Sequence, residues 1–145
     1  MKKLEFSIDI AARKENVWNV LWQDKYFRDW ANNIDEGTYL KGEMQEGNTI
    51  EFINSINGYG VTSLITRLVP NELAEFKHNA DTKDFGEAER DSEWTGGTER
   101  YELIENNGIT TLKLESTVPP SQEEMTEERY PKALERIKFL AETVE

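Results

Sequence analysis

The chain contains one histidine and no cysteine, which leaves few ways to build acid–base or nucleophilic chemistry. His78 closes the segment ELAEFKH. Its imidazole titrates near neutrality, so it suits a general acid or base, or a hydrogen bond to a ligand's polar head. It shares a strand parity with Ala74 and Phe76, which turns it toward an interior face. The plainer expectation is a strand-end histidine in solvent or bonded to backbone. A nucleophilic triad would need His78, and Ser63 and Ser116 are conceivable partners, but no spacing supports either. A single histidine rules out a histidine-rich metal site, and the absence of cysteine rules out thiolate ligands and disulfides. A carboxylate-only site would favour hard ions, yet the runs EEMTEE and EAERDSE lack calcium-loop spacing and read as solvated faces. The glycines of GYG (58–60) and TGG (95–97) do not form a phosphate loop. The sequence therefore assigns no catalytic residue, no metal and no cofactor.

The aromatic residues offer a second chemistry. Trp18, Trp22 and Trp30 lie within ENVWNVLWQDKYFRDWANN. Trp18 and Trp22 form an i,i+4 pair beside a core stripe of Val17, Val20 and Leu21. Trp30 ends the next element, where it can reach a pocket mouth. Tyr101 shares a strand face with Glu99 and Leu103 and can place a hydroxyl in an apolar pocket. Leu112, Leu114 and Ser116 form the matching face of the following strand. Tyr59, Val61, Ser63, Ile65 and Arg67 form one face of an earlier strand, and Arg67 would meet an acidic ligand if that face is inner. The opposite parity, Thr62, Leu64 and Leu68, is almost as apolar, so both remain open. Core packing alone accounts for most of these positions.

The elements that must position these groups follow from periodicity. KLEFSIDI alternates as a half-buried strand. Two helices follow, the second with Asp24 as a cap and Phe27, Trp30 and Ala31 as its apolar stripe. Strands are expected over NTIEFINSI, YGVTSLITRLV, ELAEFKHNA, EWTGGTERYELIE and ITTLKLESTV. Asn57-Gly58, Pro70-Asn71 and Asn106-Asn107-Gly108 mark turns. Residues 80–92 are charged and aperiodic and read as a loop. Pro119 and Pro120 end the last strand, Ser121 caps the next helix, and Glu123 and Glu124 suit its positive N-terminus. Tyr130, Ala133, Leu134, Ile137, Leu140, Ala141 and Val144 then recur at helical spacing. Pro131 either falls in a first helical turn or kinks a longer helix.

This order predicts an α+β fold: an antiparallel sheet of about six to seven strands, curved around a long terminal helix, with two short helices after the first strand. The 145 residues predict a single domain over 1–145. A net charge of −12 argues against nucleic acid and against an anionic membrane surface. No window has the length and apolarity of a membrane span, and MKKLEFSIDIAARKE lacks the continuous apolar core of a signal peptide. A cytoplasmic location is expected.

Three stretches resemble the START-like (SRPBCC, Bet v-like helix-grip) superfamily, and within it the group of the activator of heat-shock protein 90 ATPase. They are IDIAARKENVWNVLWQDKYFRDW, ITRLVPNELAEFKH, and NNGITTLKLES followed by YPKALERIKFLAE. The chain departs from that pattern at Ala31, where a second tryptophan is frequent, and at His78, where the strand often ends in an aromatic. The resemblance implies a helix-grip fold with a pocket under the terminal helix. It leaves function open among ligand binders, cyclases and chaperone-associated domains. The leading expectation is non-catalytic binding of a small hydrophobic molecule, lipid- or aromatic-like. Candidate pocket residues are Trp30, Phe52, Phe76, His78, Tyr101, Leu112, Leu114, Leu134, Ile137 and Ala141. The alternatives are an interaction module with a chaperone or other protein partner, and a cyclase- or hydrolase-like enzyme using His78. With no preceding domain in the chain, full co-chaperone activity is not expected.

Overall fold

The computed structural model describes residues 1–83 and 94–143. Strand β1 (Lys2–Ile10) leads into helices α1 (Lys14–Trp22) and α2 (Asp24–Ala31). Strands β2 (Thr38–Lys41), β3 (Thr49–Asn54), β4 (Tyr59–Val69), β5 (Leu73–Lys83), β6 (Thr98–Asn106) and β7 (Ile109–Val118) follow. A 3-10 turn over Pro120–Gln122 opens into helix α3 (Glu123–Thr143). All pairings are antiparallel, in the order β1-β7-β6-β5-β4-β3-β2. The sheet curls into a half-barrel around α3, as the alternation of the strands and the stripe of the last helix require.

The turns form where the sequence places them. Asn107 and Gly108 both adopt positive φ, 53° and 81°, so they make the two-residue β6–β7 hairpin. Asn71, at φ 67°, closes the β4–β5 hairpin, a conformation that asparagine tolerates better than most side chains. The β3–β4 connection is longer than a two-residue turn. It spans 55–58, and Asn54 Oδ1 accepts from the backbone N–H of Ile56 at 2.8 Å.

Several sequence expectations change. Residues 80–83 continue β5 instead of entering a loop; 84–92 lie outside the described residues, as does Val144. WTGG is not strand: Trp94–Gly97 form a turn, and β6 begins at Thr98, while Glu93 lies outside the described residues. Asp24 does not cap α2. It is the helix's first residue, and its carboxylate accepts from Arg28 Nε at 2.9–3.0 Å, an i,i+4 pair that outcompetes the backbone. Pro131 lies inside α3, which continues through it. Its ring sits on the exposed face, away from the buried stripe of Tyr130, Ala133, Leu134, Ile137, Leu140 and Ala141.

Two β-bulges decide which side chains face inward. β4 and β5 slip register between Ile65 and Arg67, and again between Thr62 and Ser63. The first bulge leaves Thr66 as the extra residue, and side-chain parity inverts there. Ser63 and Ile65 are therefore buried, Arg67 turns to solvent, and Leu68 packs against the core. Arg67 thus does not meet an interior ligand. The second bulge places Asn79 as the extra residue on β5, so His78 and Asp81 are both buried, at 3% and 2% exposure.

Gly60 is the point of closest strand approach. A Cβ there would run into the carbonyl oxygen of Phe52 and approach Ile53 Cα to 2.9 Å. Both obstacles are backbone, so relief requires moving β3 from β4. Gly60→Ala is expected to cost about 1–3 kcal/mol. The readout is a lower urea midpoint at unchanged slope.

Candidate functional site: a cavity with a half-buried carboxylate

A cavity of about 140 Å³ lies between α2, α3 and the inner face of the sheet. α2 supplies Phe27, Trp30 and Ala31, and the segment after it supplies Ile34 and Thr38. The sheet contributes Phe52 from β3, Val61 from β4, His78 from β5, and Glu99 and Tyr101 from β6. Trp94 and Tyr130 complete the wall. A wider chamber of about 330 Å³ adjoins it and shares Ile34, Thr38, Phe52, Val61, Trp94 and Tyr130.

α2 is held over the sheet by its own indole. Trp30 is 2% exposed, and its Nε1 donates to the carbonyls of Val20 at 3.0 Å and Leu21 at 3.3 Å. These are C-terminal carbonyls of α1, which lack partners within that helix. Asp29 accepts two hydrogen bonds from Arg136 of α3, at 2.6 and 2.9 Å. The guanidinium holds the Asp29 carboxyl below the usual carboxylate range. Arg129 Nη1 donates to the Ile34 carbonyl at 2.8 Å. The two helices therefore roof the cavity as one unit.

The wall is apolar except at one end. There Ser63, His78 and Glu99, from three neighbouring strands, meet. Ser63 is the direct cross-strand partner of His78, and Ser63 Oγ lies 2.7 Å from His78 Nδ1. His78 Nε2 faces Glu99 Oε2 at 3.6 Å, beyond hydrogen-bond length. Glu99 Oε1 accepts from Tyr130 at 3.1 Å and from Tyr101 at 3.3 Å. An unprotonated Nε2 would set two lone pairs against each other. The proton therefore belongs on Nε2, and Ser63 donates to Nδ1. The backbone fixes this end as well: the His78 N–H donates to Gly97 O at 2.8 Å, and the Gly96 N–H to His78 O at 2.7 Å. That turn brings the Trp94 ring edge-on to the imidazole, with centroids 6.1 Å apart, and the Trp94 N–H donates to Asp81 Oδ1 at 2.9 Å.

Burial pushes the His78 pKa down from 6.5, opposed by the negative charges of Glu99 and Asp81. Burial and then the Glu99 charge push both phenols, Tyr101 and Tyr130, well above 10. The phenols thus remain donors, while the imidazole is neutral near pH 7. Ser63 does not line the cavity: it is fully buried behind the ring, on the Nδ1 side. Its hydroxyl orients His78 and has no access to a substrate carbonyl.

Of the sequence candidates, Trp30, Phe52, His78 and Tyr101 meet around this cavity. Phe76, Leu112, Leu114, Leu134, Ile137 and Ala141 are buried in the core cluster instead and do not line it. Phe76 belongs to the aromatic packing beneath the cavity, with ring contacts to Trp22, Phe52 and Tyr101 at 5.4–6.1 Å. Trp22 joins that cluster and stacks on Phe27 at 6.4 Å, so it is more integral to packing than a flanking position suggests. Sequence reasoning missed Glu99, Trp94, Tyr130 and the role of Ser63. Strand parity with Tyr101 was a usable signal for Glu99. Trp94 reaches the site through a turn with no periodicity to mark it.

No family model matches the chain, and no curated protein matches it in sequence. Solved structures share its fold. Protein MLL2253 from Mesorhizobium loti superposes with a TM-score of 0.76 at 15% identity, over 99% of both chains. The Aha1 dimer protein from Colwellia psychrerythraea gives 0.71 at 20% identity, over 99% of this chain and 98% of that one. DynU16, a protein in the dynemicin biosynthetic locus, gives 0.70 at 12% identity, over 99% of this chain and 48% of that one. At these identities the likeness establishes a shared architecture, a curled antiparallel sheet gripping a terminal helix. Among the described residues, no helix is long and apolar enough to cross a membrane.

The His78 protonation state is directly measurable. Its ring resonances are expected to titrate below the ordinary midpoint of 6.5. Glu99→Gln removes the more influential of the two charges that hold the value up, so it should lower the midpoint further. Because the folded pKa lies below the unfolded one, the folded state is penalised as pH falls below 6.5. That penalty should vanish in His78→Asn. A wild-type midpoint above 6.5 would contradict this assignment.

Proposed function

We propose that this chain binds a small hydrophobic molecule in the cavity beneath α3. One observation carries the reading: an apolar, aromatic-walled space that ends in a hydrogen-bonded polar cluster. Cavities of that kind fix a ligand's body by burial and its orientation by a few polar contacts. The inner volume of about 140 Å³ is close to that of a benzene-sized cavity. It suits a ring-sized body better than a long acyl chain, and the adjoining chamber leaves space for a substituent. The ligand-binding residues are Trp30, Phe52, His78 and Tyr101, joined by Val61, Trp94, Glu99 and Tyr130. Phe76, Leu112, Leu114, Leu134, Ile137 and Ala141 support that wall from behind.

The likeness to Aha1 favours a second reading, docking on a chaperone or another protein. Phe139 on α3 is 54% exposed, under the Arg136 guanidinium at 5.0 Å from its ring, and it is a natural probe of that surface. Co-precipitation with the host's chaperone, weakened by Phe139→Ala and accompanied by a change in ATPase rate, would support this reading.

The first reading is tested with a panel of monocyclic aromatic and short-chain hydrophobic molecules, followed by indole fluorescence and amide shifts. Saturable responses are expected to centre on Trp30, Trp94 and Tyr101. Val61→Phe fills the space and should weaken them by about tenfold or more. No saturable response from any compound class would sink the proposal.

A further inference from the structure

Resting on the reading of this cavity as a ligand site, the charge of its lining narrows the ligand class. Among the described residues, neither lysine nor arginine lines the inner cavity, whereas Glu99 does. Arg67, the strand cation best placed by sequence to meet an anion, points to solvent beyond the Thr66 bulge. A carboxylate, phosphate or sulfate head would therefore enter beside Glu99 with no cation among the described residues to receive it. A buried charge without a counter-charge is costly for both partners.

The two oxygens of Glu99 are used unequally. Oε1 accepts from both phenols. Among the described residues Oε2 meets the His78 Nε2 edge alone, at 3.6 Å, so its accepting capacity is left to the cavity. Ser63 adds flexibility, because a hydroxyl can donate to Nδ1 or accept from it. With a donor head in the cavity, the imidazole can carry its proton on Nδ1, toward Ser63 Oγ, and turn the Nε2 lone pair inward. Glu99 Oε2 and His78 Nε2 then form a pair of adjacent acceptors. The rings of Trp30, Trp94, Tyr101 and Phe27 line the same cavity, and aromatic faces attract a cation. A chain of net charge −12 also draws cations toward its surface.

We infer that the cavity takes a small organic cation: an amine in its ammonium form, its nitrogen against Glu99 Oε2 and His78 Nε2 and its hydrocarbon body among the aromatic side chains. Glu99 Oε2 and the neutral His78 Nε2 supply two of the three hydrogen bonds that a primary ammonium seeks. The aromatic faces replace the rest of its hydration.

The test uses three size-matched probes at about pH 7.5, where an alkylammonium and a carboxylate are both charged: benzylamine, benzyl alcohol and benzoate. Each is titrated into the wild type, Glu99→Gln and Glu99→Asp, with indole fluorescence and amide shifts as readouts. Benzylamine is expected to bind at least about tenfold tighter than benzyl alcohol, because charge-assisted hydrogen bonds are the stronger kind, with benzoate weakest. Glu99→Gln should bring benzylamine to the level of benzyl alcohol while changing the alcohol by less than about twofold. Glu99→Asp keeps the charge and should keep part of the preference. If Glu99→Gln does not fold, the wild-type ranking and Glu99→Asp decide the matter. Benzyl alcohol or benzoate binding as well as benzylamine would overturn the cation while leaving the ligand cavity intact. Failure of all three probes to saturate would overturn both.

Discussion

A carboxylate under a helix has to be solvated by the protein, and the solvation of Glu99 organises this end of the molecule. Its oxygens draw on Tyr101 from its own strand, Tyr130 from α3 and His78 from the neighbouring strand. His78 in turn leans on Ser63, one strand further out. Three adjacent strands and the terminal helix are thus joined through one charged group. Removing either phenol would leave the carboxylate less satisfied, and that penalty exceeds the net worth of the hydrogen bond itself. The position of α3 over the sheet is therefore fixed by polar contacts as well as by its buried stripe. The same contacts keep the cavity from collapsing onto a purely apolar core.

The roof of the cavity depends on a different device. α2 is short, and an isolated helix of that length is unstable in water. It persists because Phe27, Trp30 and Ala31 are buried and because the Trp30 indole takes up carbonyls at the end of α1. Asp29 and Arg136 then lock its outer side to α3. Trp30 is both a wall of the cavity and the peg that holds the wall in place. For that reason a substitution at Trp30 reports on fold and ligand together, whereas Val61 separates the two.

Much of the architecture was legible in local pattern. The alternation of KLEFSIDI, the Asn-Gly turns and the stripe of the terminal helix from Tyr130 to Ala141 each carry their own physical cause, and each element formed. His78 was legible in part: its parity with Ala74 and Phe76 does turn it inward. Ser63 was not, because a serine fifteen residues away in sequence, |i−j| 15, gains its meaning only from strand pairing. Six of the ten candidate pocket residues were drawn from correct buried faces. They were buried too well, since an apolar periodicity does not separate a packed core from the lining of a space within it.

The sequence by itself determined the element order, the hairpins, the inward face of most strands and the exclusion of thiolate and histidine-rich chemistry. These follow from side-chain period, turn propensity and composition, all of which act over a few residues. Tertiary structure decided the site. The bulge at Thr66 sent Arg67 outward, and the bulge at Asn79 brought Asp81 to the same inner side as His78. The β5–β6 register set Glu99 diagonal to His78, and the seat of α3 delivered Tyr130. A bulge is the outcome of competition between whole strands for register, and a half-buried carboxylate is tolerable only once partners from distant segments surround it. Neither condition can be met, or read, within a single stretch of chain.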